Sequence, residues 1–153
     1  MQYKQPRSIQ VVVFSEGTTG RSYLLLKRVA EYGGFWQSVT GSLEDGESHR
    51  VAAVREVEEE TGYSINAEEL IDLGLTNTFK IADRWLHKYE PGVVYNEEVC
   101  FGARVDKAEV TIDPLEHEAF VWADYAVALD LVHWETNKRS VAAVERLRSN
   151  PAS

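Results

Sequence analysis

Residues 48–62 restrict how this chain can fold more than any other stretch. They read SHRVAAVREVEEETG. A helix is expected from about Ser48, whose side-chain oxygen can cap it, to Thr61, with Gly62 placed to end it. That helix carries four glutamates in five residues, Glu56, Glu58, Glu59 and Glu60, directly behind Arg55. Positions i, i+3 and i+4 share a helix face, so Glu56, Glu59 and Glu60 come together and Glu58 points away. Ala52 and Ala53 are expected one turn earlier on the glutamate side, and Val51, Val54 and Val57 on the other, against a sheet. Three neighbouring carboxylates oppose each other's ionisation unless a cation sits among them. Hard oxygen donors in this number suit Mg²⁺ or Mn²⁺. Arg55, four residues before Glu59, can hold a carboxylate in place. A solvated acidic face is the ordinary alternative, and EVEEE taken alone favours it.

The flanking segments read as a sheet. Residues 9–14 (IQVVVF) and 23–27 (YLLLK) are strand-like, and the polar SEGTTGRS between them suggests a hairpin. FWQSVTG (35–41) reads as a third strand, followed by a turn at Asp45-Gly46. Beyond the helix, LIDLGLTNTF, RWLHKY, EEVCFGARV and AFVWA are short β-rich runs. Residues 136–148 place Val141, Val144 and Leu147 on one face and read as an amphipathic helix. The order of strands, helix, strands and helix predicts an α/β (α+β) fold, a mixed sheet between helices, in one domain over residues 1–153.

Composition narrows the partners. A hydrophobic content of 44% suits a packed core and not a disordered chain. There is no apolar run of membrane-spanning length and no signal-like N-terminus, and Cys100 is the sole cysteine, so a cytoplasmic protein without membrane attachment is expected. Sixteen basic against 25 acidic residues leave a net charge of −9, which counts against a nucleic-acid polymer as partner. A small phosphorylated ligand stays compatible, because bound metal can reverse the local sign. The oligomeric state is left open.

The surroundings of the glutamates overturn the solvated-face alternative. In GSLEDGESHRVAAVREVEEETGY (41–63), Gly41 is followed after five residues by Glu47, and after seven more by the Arg55–Glu56 pair, Glu59–Glu60 and Gly62. This resembles the Nudix box. Tyr63 departs from it, standing where an aliphatic residue is usual, at a position that bears on packing behind the loop. The resemblance implies a mixed sheet between helices and metal-dependent hydrolysis of a diphosphate linked to another group. It also implies that Glu56 and Glu60 are metal ligands, with Glu59 a third ligand or a base, and that Glu47 supports the loop and one ligand.

Outside the box, FWQSVTGS, YEPGVVYNEE, LEHEAFVW and HWETNKR, with Lys4 and Pro6, resemble the branch of that family that releases pyrophosphate from 7,8-dihydroneopterin triphosphate in the folate pathway. The match is weakest over residues 70–85 and after 139, and VAEYGG (29–34) is longer than expected. It implies that Glu116 is a further metal ligand and that Lys4, Lys27 or Arg28, and Thr40 contact the substrate, a small polyphosphate. Trp36 is expected as core or pocket wall, and Phe79 and Trp85 are candidate stacking partners for a flat ring. His49, His87, His117 and His133 show no metal-ligand spacing and are expected not to be ligands, His117 drawing attention because it adjoins Glu116. Asn96 and Glu98 serve either the site or a local hydrogen bond. Competing functions are a (deoxy)nucleoside triphosphate pyrophosphatase of the same family and a non-catalytic nucleotide sensor. A sensor would be expected to have lost box glutamates, and none is lost here.

Overall fold

In the computed structural model, which describes residues 2–148, strand β1 (Arg7–Gly17) is the axis of the architecture. Its apolar run is buried on both faces, as a strand between two layers must be. Ile9, Val11 and Val13 face one core, and Val12 and Phe14 face the other. One edge of β1 pairs in parallel with β6 (Tyr95–Arg104), which is paired in turn with antiparallel β5 (Ile71–Lys80). The other edge is shared. Residues 8–11 pair with β4 (Val39–Ser42), and residues 14–17 pair with β2 (Gly20–Arg28). The sheet therefore forks midway along β1. Strand β3 (Trp36–Gln37) lies on β2, and β7 (His117–Ala123) pairs with β2 as well.

Helix α1 (His49–Thr61) covers one face, with Ala52, Ala53 and Val57 in the core that holds Ile9, Leu24, Leu26 and Phe101. Helices α2 (Tyr125–Leu131) and α3 (Glu135–Glu145) cover the other, with Ala128, Val141 and Val144 against Val12, Phe14, Tyr23 and Leu25. The mixed sheet between helices is as the sequence leads one to expect. Among the described residues no helix is long and apolar enough to cross a membrane.

The ends of α1 are where the sequence puts them. Ser48 Oγ accepts from the Val51 N–H at 3.2 Å, and Gly62, at φ 84°, donates its N–H to the Glu58 carbonyl at 2.9 Å. Its orientation differs from expectation. Ala52 and Ala53 are fully buried, whereas Val51 is 51% exposed. The stripe turned to the sheet is thus Ala53, Val57 and Glu60, so the acidic edge of the helix is pressed inward.

Three further segments depart from the sequence reading. FWQSVTG is not one strand but β3 and β4, because it fills the fork and bonds first to β2, then to β1. RWLHKY is not a strand. Asp83–Lys88 is a 3-10 helix, whose residues lack the period-2 alternation a half-buried strand needs. Helix α2, only seven residues long, was not expected at all. The hairpin is present, but its strands run on until Gly17 faces Gly20.

Candidate active site

The acidic edge of α1 meets three other pieces of chain at the fork. Gly41 on β4 lies against Glu56 so closely that a Cβ there would fall 2.2 Å from the carboxyl carbon. Glycine is required by that approach and not by backbone conformation. The clash involves the end of a flexible side chain, so Gly41→Ala is expected to displace Glu56 without unfolding the protein. Turnover should fall about tenfold or more while Tm moves by only a few degrees. A calorimetric scan beside a rate assay checks this, and a variant with unchanged turnover contradicts it.

The second piece is the segment before β7. The Thr111 N–H donates to the Thr61 carbonyl at 2.9 Å, and the Tyr63 hydroxyl accepts from the Ala108 N–H at 2.8 Å, which ties this segment to the end of α1. Tyr63 thus acts behind the loop, as its position in the box implies. Asp113 then closes a turn. Its carbonyl accepts from the Glu116 and His117 N–H groups at 3.0 and 2.8 Å, and the Val29 N–H donates to the Glu116 carbonyl at 3.0 Å. Glu116 and His117 are thereby returned over the helix. Glu60, Glu116 and His117 each offer a ligand atom within 4.8 Å of the others'. His117, expected not to be a ligand, thus stands among the donors. Its placement comes from the strand register opposite Arg28, which no residue spacing reveals.

Arg55 organises the remaining glutamates. It donates to both Glu47 oxygens at 2.7 and 2.9 Å, to Glu56 at 2.7 Å, to Glu59 at 3.3 Å and to the Ser42 carbonyl at 3.0 Å. A planar guanidinium suits such divided service. Glu47 supports the loop as expected, accepting also from the Glu44 N–H at 2.7 Å, and its bonds to Arg55 hold its pKa below the ordinary value. Glu59 lies on the exposed rim and outside the tight donor group, although its side chain shares the Arg55 clamp.

Glu60 is the electrostatic centre. It is 1% exposed, and neither carboxyl oxygen has a hydrogen-bond partner among the described residues. Burial first, then the charge of Glu56, raises its pKa well above the usual carboxylate value. Burial raises Glu56 too, with Arg55 acting the other way. Both His117 ring nitrogens are buried and, among the described residues, unbonded, with Nε2 3.4 Å from Glu60. Burial and then Arg28 lower its pKa to about 4, so the imidazole is neutral and no ion pair joins it to Glu60. Unpartnered carboxyl oxygens and neutral imidazole nitrogens in a buried cluster are a donor set that fits a divalent cation.

The residues expected to meet substrate divide. Arg28 acts electrostatically on Glu60, His117 and Lys4, and it follows Leu24 and Leu26 on the side of the sheet facing α1. Lys27 alternates to the opposite face, so the choice between the two falls to Arg28. Lys4 is carried to the site by the N-terminal arm, in which Gln2 and Gln5 donate to Asp45 and the Lys4 N–H donates to the Lys88 carbonyl at 2.8 Å. Its pKa is lowered by partial desolvation and then by Lys88 and Arg28, against the pull of Glu56 and Glu116. Thr40 pairs with Gln10 and faces away from α1, so it is not brought to the acidic cluster. Trp36 is half-buried against the α3-side core, Phe79 is 43% exposed, and Trp85 is engaged with Lys88, whose Nζ lies 4.4 Å from the ring.

The profile of the NUDIX domain matches residues 4–144. The dihydroneopterin triphosphate diphosphatase of Escherichia coli is 39% identical over 141 residues, 91% of each chain. That of Haemophilus influenzae is 31% identical over 143 residues, 92% of this chain and 88% of its own. Among solved structures, the E. coli dihydroneopterin triphosphate pyrophosphohydrolase superposes with a TM-score of 0.79 at 36% identity, covering 95% of this chain and 98% of that one.

Proposed function

Because the chain belongs to the Nudix family, we propose that it hydrolyses 7,8-dihydroneopterin triphosphate to dihydroneopterin monophosphate and pyrophosphate. The observation that carries the reaction class is the buried, unpartnered Glu60 carboxyl beside Glu116 and His117. The substrate rests on the relatives, whose similarity runs over nearly the whole chain in both directions. Every residue named for the site falls in the matched span, so a single domain is proposed to carry the reaction.

Glu56, Glu60 and Glu116 would hold the cation, Mg²⁺ in this reading with Mn²⁺ as the alternative, and the neutral His117 is a further available donor. A divalent cation there supplies positive charge to phosphate oxygens and acidifies water. Arg55 keeps Glu56 oriented and favours its ionised form against the effect of burial. Arg28 and Lys4 bring positive charge to the mouth of an otherwise acidic site and receive the phosphates. Glu59, on the rim within reach of Arg55, is the group we assign to accept the proton of the attacking water. A triply phosphorylated substrate does not cross a membrane unaided, so the reaction is proposed for the cytoplasm.

The test is a set of kcat/KM values with Mg²⁺ for dihydroneopterin triphosphate, ATP, GTP and dATP, with the inorganic product identified. The pteridine substrate is expected to be preferred over ATP and dATP by about tenfold or more, because hydrogen-bonding sites reject ligands that leave their polar groups unpaired, and over GTP, whose base shares the amino and N–H edge, through the shape of ring and linker alone. Pyrophosphate is the expected product. Orthophosphate as the first product contradicts the reaction, and a stronger preference for any nucleoside triphosphate overturns the substrate.

A further inference from the structure

The α3 side of the sheet carries a buried polar row that the metal chemistry does not use. Glu98 on β6 is only 6% exposed, and it lies on the opposite face from Val99 and Phe101, which pack in the α1-side core. Gln10 Nε2 and Asn77 Nδ2 donate to its Oε1 at 2.9 and 3.1 Å. Among the described residues none donates to its Oε2. Beside it, Gln10 is fully buried and its own Oε1 has no partner among the described residues. The orientation of the Gln10 amide is not free, because its nitrogen serves Glu98. Gln10 Oε1 is thus a buried acceptor without a donor among the described residues, where an unmet polar group is costly, and the donor-free Glu98 Oε2 belongs to the side chain its nitrogen serves.

Burial raises the pKa of Glu98, which Asn77 and Gln10 partly offset. Nothing in the packing calls for a carboxylate here, and a leucine would suit a sheet face under a helix better. The row has an aromatic flank. Phe79 is opposite Asn96 and Asn77 opposite Glu98 in the β5–β6 register, so all four side chains share this face, and Phe79 is exposed. Thr40 joins the same face through its pairing with Gln10.

We propose that Glu98, with Gln10, is the specificity-determining acceptor pair for a ring that presents an amino group beside a ring N–H, as the 2-amino-4-oxopyrimidine edge of a pterin does. The inference rests on the pteridine reading above and assigns the residues that recognise the ring. Such an edge offers two adjacent donors, which Glu98 Oε2 and Gln10 Oε1 accept, while Phe79 is placed to stack on the ring face. An adenine edge offers one donor and one acceptor, and its acceptor would meet the carboxylate. Glu98→Gln keeps the shape but removes the charge and can set an amide N–H against the ring donors.

Neopterin, which has the ring and no phosphate, isolates this subsite from the metal cluster. Its binding is measured by calorimetry without metal, beside that of the corresponding lumazine, in which an oxo group replaces the 2-amino group. Wild type is expected to bind neopterin about tenfold or more tighter than the lumazine. Glu98→Gln is expected to abolish that preference while lumazine affinity is unchanged, an outcome a merely structural role would not give. Wild type that does not prefer neopterin, or a Glu98→Gln variant that keeps the preference, overturns the assignment. Hydrolysis of dihydroneopterin triphosphate is followed in the same preparations. Turnover by wild type with no loss in Glu98→Gln sinks this inference alone, and Glu98-dependent neopterin binding without hydrolysis sinks the proposed reaction alone.

Discussion

Glu60→Gln is expected to lower turnover by about a thousandfold, the scale on which electrostatic contacts to developing phosphate charge act, and to leave the protein folded. In chelator the same variant should be more stable than wild type. The folded-state pKa of Glu60 lies above its unfolded value, near 4.5. A raised carboxyl pKa gives stability that is present below the unfolded pKa and lost as pH rises through the folded one. Metal-free wild type therefore loses stability with rising pH, and the glutamine variant does not. His117 has the reverse sense. Its pKa is lowered from 6.5 to about 4, so its contribution is complete above 6.5 and lost as pH falls. Comparisons made from about pH 6.5 upward are thus free of it. Thermal unfolding of both proteins in chelator, across that range and again with Mg²⁺, reads the effect directly. A variant of near-normal turnover, or one no more stable than wild type at the upper end, rejects Glu60 as a ligand under strain.

Glu116→Ala is expected to cost about a hundredfold in metal-dependent rate, whereas Glu118→Ala changes it by less than about twofold. The two carboxylates are two residues apart and both exposed, so charge and composition do not separate them. Geometry does. The Asp113 turn and the Val29–Glu116 backbone bond fix Glu116 over α1, and it shares a donor group with Glu60 and His117, which Glu118 does not enter. Raising Mg²⁺ should recover part of the lost rate in Glu116→Ala if affinity is what was lost. Equal and small effects of the two substitutions would remove Glu116 from the site.

The parts of the site legible in the sequence are those set by local spacing. Ser48 and Gly62 mark the ends of α1 because capping is a property of a few neighbouring residues. Glu56 and Glu60 lie one helical turn apart, and Arg55 was expected to hold a carboxylate, though it holds Glu47 and Glu56 more tightly than Glu59. What the sequence did not disclose depends on pairing between distant strands. Helical spacing puts Val51, Val54 and Val57 on the sheet side, but it gives relative and not absolute orientation: Val57 and Val54 pack in the core with Ala52 and Ala53, and Val51 is exposed. His117 joins the cluster through its register with Arg28, and Lys27 leaves it through the alternation of β2. RWLHKY looked strand-like in composition, but a 3-10 turn is decided by backbone hydrogen bonds that composition does not encode.

The fork in the sheet gives the two half-sites a common backbone. Gly41 abuts Glu56 on one side of β4, and Thr40, its neighbour in sequence, shares the opposite side with Gln10. A ligand held by both the acidic cluster and the polar row must therefore reach around a single strand, and the strand's pleat fixes the distance between its ring and its phosphates. If both proposed half-sites are engaged at once, a ligand whose linker is too short reaches only one of them, whatever its ring chemistry. On that reading ligand length is selected independently of charge and hydrogen bonding, through the hydrogen-bond register of β1 with β4.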